Sequence, residues 1–207
     1  MHRIATKPGD LDSEKKLESV SQTPADILFI STADTELSGL AQVWGKRFRK
    51  KARLTLRLIQ ANPLQHPAAA EHYADNVLSK AKLAIFRLHG GYGYFPHILD
   101  EILHIKSHGV KTRILVLPGT DEWDPELMNF NDYAEPLVRQ MFSYFREGGT
   151  ANMELAAEAV ELLLENKTMG FPEALKIPTF GWLKDKSGKR NQKSKIGRVW
   201  ITFYRAL

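Results

Sequence analysis

Three short apolar runs, each followed by a helix-like stretch, set the strongest limit on what this chain can fold into. They cover residues 27–30, 83–86 and 114–117 and contain only aliphatic and aromatic side chains. Continuous apolar runs of this length are typical of strands that are buried on both faces of a parallel sheet. The repeated strand–helix order predicts an α/β domain with three layers, in which helices cover both faces of the sheet.

A fourth run, at residues 54–58, alternates apolar and polar side chains, so we expect it at a sheet edge with one wet face. Because this strand comes second in the chain, its place at the edge predicts the flavodoxin-like strand order 2-1-3-4. Helical stretches near residues 134–147 and 151–165 are expected as extra C-terminal helices. The α/β domain predicted in this way covers residues 25–167.

Polar segments that contain proline and glycine flank the predicted domain. Residues 1–24 are expected to form a mobile lead-in, and residues 168–198 a linker with a basic stretch. The mainly apolar residues 199–207 predict a further strand. We interpret it as the first strand of a truncated next domain; the alternative is that it joins the free edge of the sheet.

The net charge of +5 comes from two local basic clusters, at residues 46–57 and 184–205. We interpret the clusters as a helix end and a solvated linker, because neither has the interleaved aromatic side chains of a nucleic-acid stacking platform. Nucleic acid is therefore not the expected partner. The chain has no cysteine and no apolar stretch of about 20 residues that could cross a bilayer, which favours a cytoplasmic protein without a membrane partner.

A ligand cleft is expected where the winding of the sheet reverses, between the carboxyl ends of the first and third strands. Glycines there allow close backbone approach, and a helix N-terminus behind them offers a place for an anion. The competing interpretation is a tight turn at the glycines and a simple helix cap at Asp34. The candidate cleft residues are Ser31, Thr32, Asp34, His89, Gly90 and Gly91.

Seven histidines raise the question of a metal site. His104 and His108 lie four residues apart on a predicted helix and would share one face. Without a nearby carboxylate they make an incomplete site, so we expect surface positions and no bound metal. No Ser–His–Asp order or nucleophile elbow points to a catalytic group. The residues by themselves predict an α/β domain with a cleft for a small ligand.

Segments spread over the whole chain carry a resemblance to a known family. In their order and number they resemble the CobN-type large subunit of cobaltochelatase, a relative of the magnesium chelatase large subunit. They include Gln22-Thr23-Pro24-Ala25-Asp26-Ile27, Ser31-Thr32-Ala33-Asp34-Thr35-Glu36-Leu37, Leu64-Gln65-His66-Pro67, Arg87-Leu88-His89-Gly90-Gly91, Leu117-Pro118-Gly119-Thr120-Asp121 and Tyr144-Phe145-Arg146-Glu147-Gly148-Gly149.

The resemblance implies ATP-dependent insertion of cobalt(II) into hydrogenobyrinic acid a,c-diamide in aerobic cobalamin biosynthesis. It also implies that the large subunit holds the corrin and the metal, while AAA+ type partner subunits hydrolyse ATP. Since members of the family are several times longer, this segment is expected to be a scaffold or a wall of the substrate cleft beside the remainder of the large subunit. We expect it to have no catalytic residue and no bound cofactor. The alternative is a stand-alone α/β module that binds an anionic small ligand or a tetrapyrrole.

Overall fold

A computed structural model describes four parts of the chain, and regular secondary structure within them runs from Ile27 to Leu164. The strand predicted at residues 199–207 and the second basic cluster lie outside the described residues. So do most of the predicted lead-in and most of the predicted linker. The described residues are 20, 22–48, 54–167 and 170–176.

Four parallel strands form one sheet in the order β2-β1-β3-β4, which confirms the predicted strand order. The strands are β1 (Ile27–Ser31), β2 (Leu56–Gln60), β3 (Leu83–Leu88) and β4 (Arg113–Pro118). All residues of β1 and β3 are buried, as expected for central strands that are covered on both faces. Phe29 of β1 pairs in register with Leu58 of β2 and with Ile85 of β3, so these side chains share one face of the sheet.

Helices cover both faces of the sheet. They are α1 (Asp34–Phe48), α2 (Pro67–Asn76), α3 (Gly91–Tyr94), α4 (Pro96–Ser107), α5 (Glu135–Glu147) and α6 (Gly149–Leu164). The helices α1, α5 and α6 pack on one face, and α2 and α4 pack on the other. This arrangement confirms the three-layer α/β architecture and the two helices after β4. Among the described residues, no helix has the length and hydropathy needed to span a bilayer.

Two apolar cores, one on each face of the sheet, hold the three layers together. Ile85 and Phe86 are neighbours in β3, yet they belong to different cores because side chains alternate along a strand. The ring of Phe29 stacks on that of Phe145 in α5, with the centroids 5.3 Å apart. Full burial of one such side chain contributes about 1.5–3 kcal/mol, so the residues buried in each core stabilise the packing of the helices on the sheet.

The alternating strand β2 lies at one edge of the sheet, as predicted. Ile59 is its one buried residue, and the others are half-buried. Arg57 Nη2 donates to Thr23 Oγ1 at 2.8 Å, and Gln22 Nε2 donates to Leu58 O at 3.1 Å. The short segment before β1 therefore lies along this edge and binds one of its backbone carbonyls.

The other edge, at β4, is covered by two residues, Asn131 and Asp132, which make the hydrogen bonds that a neighbouring strand would make. Asn131 Oδ1 accepts from Val116 N at 2.8 Å, and Asn131 Nδ2 donates to Val116 O at 3.0 Å. Asp132 Oδ2 accepts from Ile114 N at 2.7 Å, and Asp132 N donates to Ile114 O at 3.0 Å. The outward backbone groups of Ile114 and Val116 are therefore satisfied without a fifth strand.

Candidate functional site

The predicted cleft residues lie where the winding of the sheet reverses. After β1 the chain crosses to β2 on one side, and it then returns to β3 on the other side of β1. Ser31 ends β1, while His89, Gly90 and Gly91 follow β3 directly. Because the carboxyl ends of parallel strands meet at one edge of a sheet, the structure brings the two predicted loops together.

Hydrogen bonds tie these loops to each other. Thr32 N donates to Arg87 O at 3.2 Å, and His89 N donates to Thr32 Oγ1 at 3.2 Å. The loop after β4 joins them, since Gly119 N donates to Leu88 O at 2.8 Å. A Cβ atom on Gly119 would lie 2.7 Å from the Cα atom of His89, so only glycine fits this crossing. We call the surface formed by residues 31–34, 89–94 and 118–121 the carboxyl-edge surface.

The two glycines after β3 have backbone angles that favour glycine. The φ angles of Gly90 and Gly91 are 86° and 54°. A Cβ atom on Gly91 would lie 2.7 Å from Asp124 Oδ2, and one on Gly90 would overlap the Tyr94 ring. The helix behind them, α3, has four residues, so these glycines do not precede a long helix with a sizeable dipole. A tight turn accounts for both glycines.

Asp34 is exposed and is the first residue of α1. Its carboxylate makes no hydrogen bond with any described residue, so it complements the helix dipole through its charge alone. The hydrogen bond at this helix start comes from Ser31, whose Oγ accepts from Ala33 N at 3.0 Å. The structure therefore shows no side-chain hydrogen bond of a helix cap at Asp34, and the serine bonds the residue before the helix.

Beneath the carboxyl-edge surface, three polar side chains form a buried cluster that the sequence analysis did not predict. Ser31 Oγ donates to Glu36 Oε2 at 2.7 Å, and Arg87 Nε donates to Glu36 Oε1 at 2.8 Å. The exposed fractions of Ser31, Glu36 and Arg87 are 0%, 5% and 1%. One carboxylate thus joins the first turn of α1 to the ends of β1 and β3.

Arg87 keeps part of its hydrogen-bonding capacity unused. Its Cζ atom lies 5.6 Å from the ring centroid of Phe142 and 5.7 Å from that of Phe145, both in α5. Its Nη1 atom is buried and has no hydrogen-bond partner among the described residues. An unpartnered donor inside a protein costs free energy, so a water molecule or an anion would be stabilised at this nitrogen.

A cavity of about 240 Å³ lies beside this cluster. Glu36 and Phe145 belong both to its wall and to the surroundings of Arg87. Pockets for drug-sized molecules measure about 300–1,000 Å³, so this cavity suits a smaller ligand. Its lining comes from the first turns of α1 and α6 and from the end of α5, and includes Thr35, Glu36, Gly39, Phe145, Gly148 and Thr150.

A larger cavity, of about 560 Å³, opens at the opposite edge of the sheet, where the strands begin. None of the predicted cleft residues lines it. Lys82 in its wall pairs with Asp26, with Nζ 2.8 Å from Oδ1. The hydrogen bond from Lys82, together with those from Thr55, lowers the pKa of Asp26 to about 2. The wall carries both positive and negative side chains, so it does not favour one class of ligand. Its residues include Leu54, Lys82, Lys111, Arg113, Glu161 and Asn166.

His104 and His108 are both exposed, as their spacing predicted. His104 and His108 lie on one exposed face at the end of α4, with ring centroids 4.3 Å apart. His89 is exposed on the carboxyl-edge surface. Within the described part of the chain, no three or more His, Asp or Glu side chains are grouped so that they could hold a metal ion.

The buried cluster left one trace in the sequence. Arg87 is the single charged residue of β3, and a charged side chain in a strand covered on both faces needs an internal partner. No comparable signal marks Glu36, because acidic residues are common in the first turn of a helix. The sequence therefore indicates that Arg87 has a buried partner, but it does not indicate which residue the partner is.

Comparison with known proteins finds relatives of this chain among cobaltochelatase subunits. The chain is 37% identical over 155 residues to the aerobic cobaltochelatase subunit CobN of a Sinorhizobium species, and the match covers 75% of this chain. This chain is related to the CobN subunit. The CobN subunit of Pseudomonas aeruginosa is 28% identical to it over 152 residues, or 73% of this chain. Each match covers 12% of the relative, so the chain spans about an eighth of the CobN subunits that it matches. No family model matches the chain.

The fold agrees with this relationship. The catalytic subunit of cobaltochelatase from Mycobacterium tuberculosis contains a similar fold, with a TM-score of 0.54 over 77% of this chain and 12% of that chain. The sequence identity in this superposition is 20%, so the likeness concerns the fold alone. An α/β unit like this one therefore occurs inside a cobaltochelatase subunit, as the relationship to CobN requires.

Proposed function

We propose that this chain contributes an α/β segment to a CobN-type cobaltochelatase subunit that acts in cobalamin biosynthesis. The observation that carries the proposal is its sequence identity to the CobN subunits, which extends over three quarters of the chain. The reaction is the ATP-dependent insertion of cobalt(II), as the substrate metal, into hydrogenobyrinic acid a,c-diamide. We assign this reaction to the cytoplasm.

In this proposal the remainder of the large subunit completes the site for the corrin and the metal, and AAA+ type partner subunits hydrolyse ATP. The present segment acts as a scaffold or as a wall of the substrate cleft. The cavity beside Glu36, at about 240 Å³, is too small for a macrocycle of corrin size. We therefore assign any contact with the corrin to exposed side chains of the carboxyl-edge surface, such as His89 and Tyr94, which lie where ligands of doubly wound sheets bind.

A chromosomal deletion tests the role in the pathway. Removing the codons for residues 25–167 in frame should abolish cobalamin synthesis, and hydrogenobyrinic acid a,c-diamide should accumulate, because the large subunit loses this segment. The matched control is Glu135→Gln, which breaks an exposed ion pair with Arg139 and should leave cobalamin at its normal level. Normal cobalamin in the deletion strain would overturn the proposal.

A reconstituted assay tests the scaffold role. Purified residues 1–207 would be mixed with AAA+ partner subunits, cobalt(II), ATP and hydrogenobyrinic acid a,c-diamide, and metal insertion would be followed by the absorbance of the corrin. We expect no turnover, because the insertion chemistry is assigned to the rest of the subunit. Turnover by this chain at the rate of a complete CobN subunit would show that the chain itself holds the catalytic site.

A second candidate function is a stand-alone module that binds a small anion. The observation in its favour is the buried, unpartnered Nη1 atom of Arg87 near a cavity lined by the first turns of two helices. The probe is inorganic phosphate, followed by amide chemical shifts at Thr35 and Thr150. Saturable shifts at these two residues would favour the module, and unchanged spectra at millimolar phosphate would favour the scaffold.

A further inference from the structure

Two histidines, one in the last turn of α4 and one directly after the helix, are arranged as a chelating pair. His104 and His108 are both exposed and lie one helical turn apart, with their ring centroids separated by 4.3 Å. This is the spacing by which zinc-binding helices present two imidazoles to one ion. Because the rings already lie side by side in solvent, small side-chain rotations suffice to direct a nitrogen of each towards a common ion.

The hydrogen bonds of His108 determine which of its nitrogens can bind a metal ion. Its Nδ1 atom lies 2.9 Å from the carbonyl oxygen of His104. Because a carbonyl oxygen can only accept, Nδ1 carries the proton of the neutral ring, and Nε2 keeps its lone pair. Metal-binding histidines are commonly oriented by such a bond from the other ring nitrogen. The same carbonyl also accepts from Ser107 Oγ at 2.7 Å, which fixes the geometry of this turn.

The surroundings favour a cation at this position. The ring of His104 makes no hydrogen bond with any described residue, so its nitrogens are available. The pair lies at the C-terminal end of α4, where the helix dipole stabilises positive charge. Lys106, the cation on the same turn, is compensated by Asp132, with Nζ 2.7 Å from Oδ1, and also donates to Phe130 O at 3.0 Å.

The backbone that carries the pair is held in place by the core. On the opposite face of α4, the side chains of Ile98, Leu99, Ile102 and Ile105 are at most 4% exposed. Binding sites on packed helices hold their ligands more accurately than sites on loops. The relative position of the two imidazoles is therefore set by the fold, and only their side-chain rotamers remain to be ordered.

We propose that His104 and His108 form a bidentate surface site for a divalent transition metal ion, with water in the remaining coordination positions. Imidazole nitrogens suit Co²⁺, Ni²⁺, Cu²⁺ and Zn²⁺, whereas Mg²⁺ and Ca²⁺ prefer oxygen ligands. The sequence led us to expect no metal here because a third ligand is missing, but an open site that exchanges its ion needs no third protein ligand. The inference concerns this chain alone and does not rest on the proposed function.

The experiment titrates the full chain with Co²⁺ and with Ni²⁺ by calorimetry, and follows the histidine ring resonances by NMR. We expect one ion per chain at this site, with the resonances of His104 and His108 broadened first by paramagnetic Co²⁺. His104→Gln and His108→Gln should each weaken binding at least about tenfold, since even the loss of an outer-shell partner costs a metal site that much. Both variants should fold normally, because both residues are exposed.

The control is His72→Gln, which removes an exposed histidine of α2 that has Asn76, and no second histidine, one turn further on. Its affinity should equal that of the parent chain. The site is refuted if the double variant His104→Gln/His108→Gln binds Co²⁺ as tightly as the parent, or if other histidines broaden first. Competition by Mg²⁺ at concentrations comparable to Co²⁺ would also refute it. Because no chelatase activity enters the test, its failure is distinct from a failure of the proposed function.

Discussion

Arg87 in β3 donates from Nε to Glu36 Oε1 in α1 at 2.8 Å, and the two residues are 51 positions apart in the chain. Both side chains are almost fully buried. The ion pair therefore fastens the first turn of α1 to the centre of the sheet, directly below the loops that form the carboxyl-edge surface. The shape of that surface depends on two charges that solvent cannot screen.

Replacing Glu36 by Leu should destabilise the fold strongly. Arg87 would remain buried without its carboxylate, and removing one partner of a buried ion pair costs about 3–5 kcal/mol. The free energy of unfolding in urea measures this loss. The double variant Glu36→Leu/Arg87→Met should recover most of the stability, because an apolar pair of similar volume needs no charge compensation. A single variant within about 0.5 kcal/mol of the parent, the usual range for a neutral surface substitution, would contradict the assignment.

Gly119→Ala should destabilise the crossing of the loops after β3 and β4. The added methyl group would overlap the backbone of His89, and such overpacking typically costs about 1–3 kcal/mol. Thermal unfolding measures the change. Gly45→Ala is the matched control, because no atom lies within 4 Å of its added methyl group. Since Gly45 lies inside α1, this control should instead stabilise the fold by about 1 kcal/mol.

Asp26→Asn should change the pH dependence of stability. Hydrogen bonds from Lys82 and Thr55 hold the pKa of Asp26 at about 2, below its ordinary value of 3.8. The contribution of the ionised Asp26 carboxylate to the stability of the fold is therefore fully present above about pH 4 and is lost as the pH falls through about 2. At pH 7 the variant should be less stable by about 1–2 kcal/mol, a value reduced for partial exposure.

Urea unfolding of the parent and of Asp26→Asn between pH 7 and pH 2 checks this prediction. The difference in stability should shrink between pH 4 and pH 2. Lys82→Met serves as the comparison, because removing the main partner should return the pKa of Asp26 towards its ordinary value and flatten the profile. A difference that stays constant down to pH 2 would show that the carboxylate does not stabilise the fold.

Asn131→Ala should open the outer edge of β4. The amide of Val116 loses its acceptor, and we expect a loss of about 1–3 kcal/mol for a buried group left unpaired. Hydrogen exchange at Val116 should accelerate more than exchange at Ile85 in β3, which lies inside the sheet. Asn76→Ala, at an exposed asparagine whose hydrogen bonds stay within α2, is the control and should leave the exchange at Val116 unchanged. Equal protection of Val116 in Asn131→Ala would contradict this role.

The strand order could be predicted because the order of apolar and polar side chains along each strand depends on how many of its faces are covered. A strand covered on both faces is mainly apolar, as residues 27–30 are, while the alternation at 54–58 indicates a half-exposed face. The end of α2 is less predictable from the sequence, since the helix ends at Asn76 and a 3-10 helix, Leu78–Lys80, follows. Helix ends depend on caps and on tertiary contacts that a periodic pattern does not contain.

The candidate site was harder to predict than the fold. The loop residues followed from topology alone, because the carboxyl ends of β1 and β3 must meet. The link from Glu36 to Arg87 depends on the rotation of α1 about its axis and on side-chain rotamers. The residues that neighbour Glu36 and Arg87 in the sequence determine neither. The partner of a buried charge can lie on any element packed against it, so the sequence alone left Arg87 unassigned.

The covering of β4 by Asn131 and Asp132 has a consequence for assembly. A strand from a neighbouring domain or subunit could extend the sheet there only by displacing two residues that already satisfy the backbone, at the cost of three side-chain hydrogen bonds and one backbone hydrogen bond. Lateral growth by strand addition is therefore blocked on that side. On this side of the sheet, a partner must dock on the outer faces of the helices or on the carboxyl-edge surface instead of adding a strand.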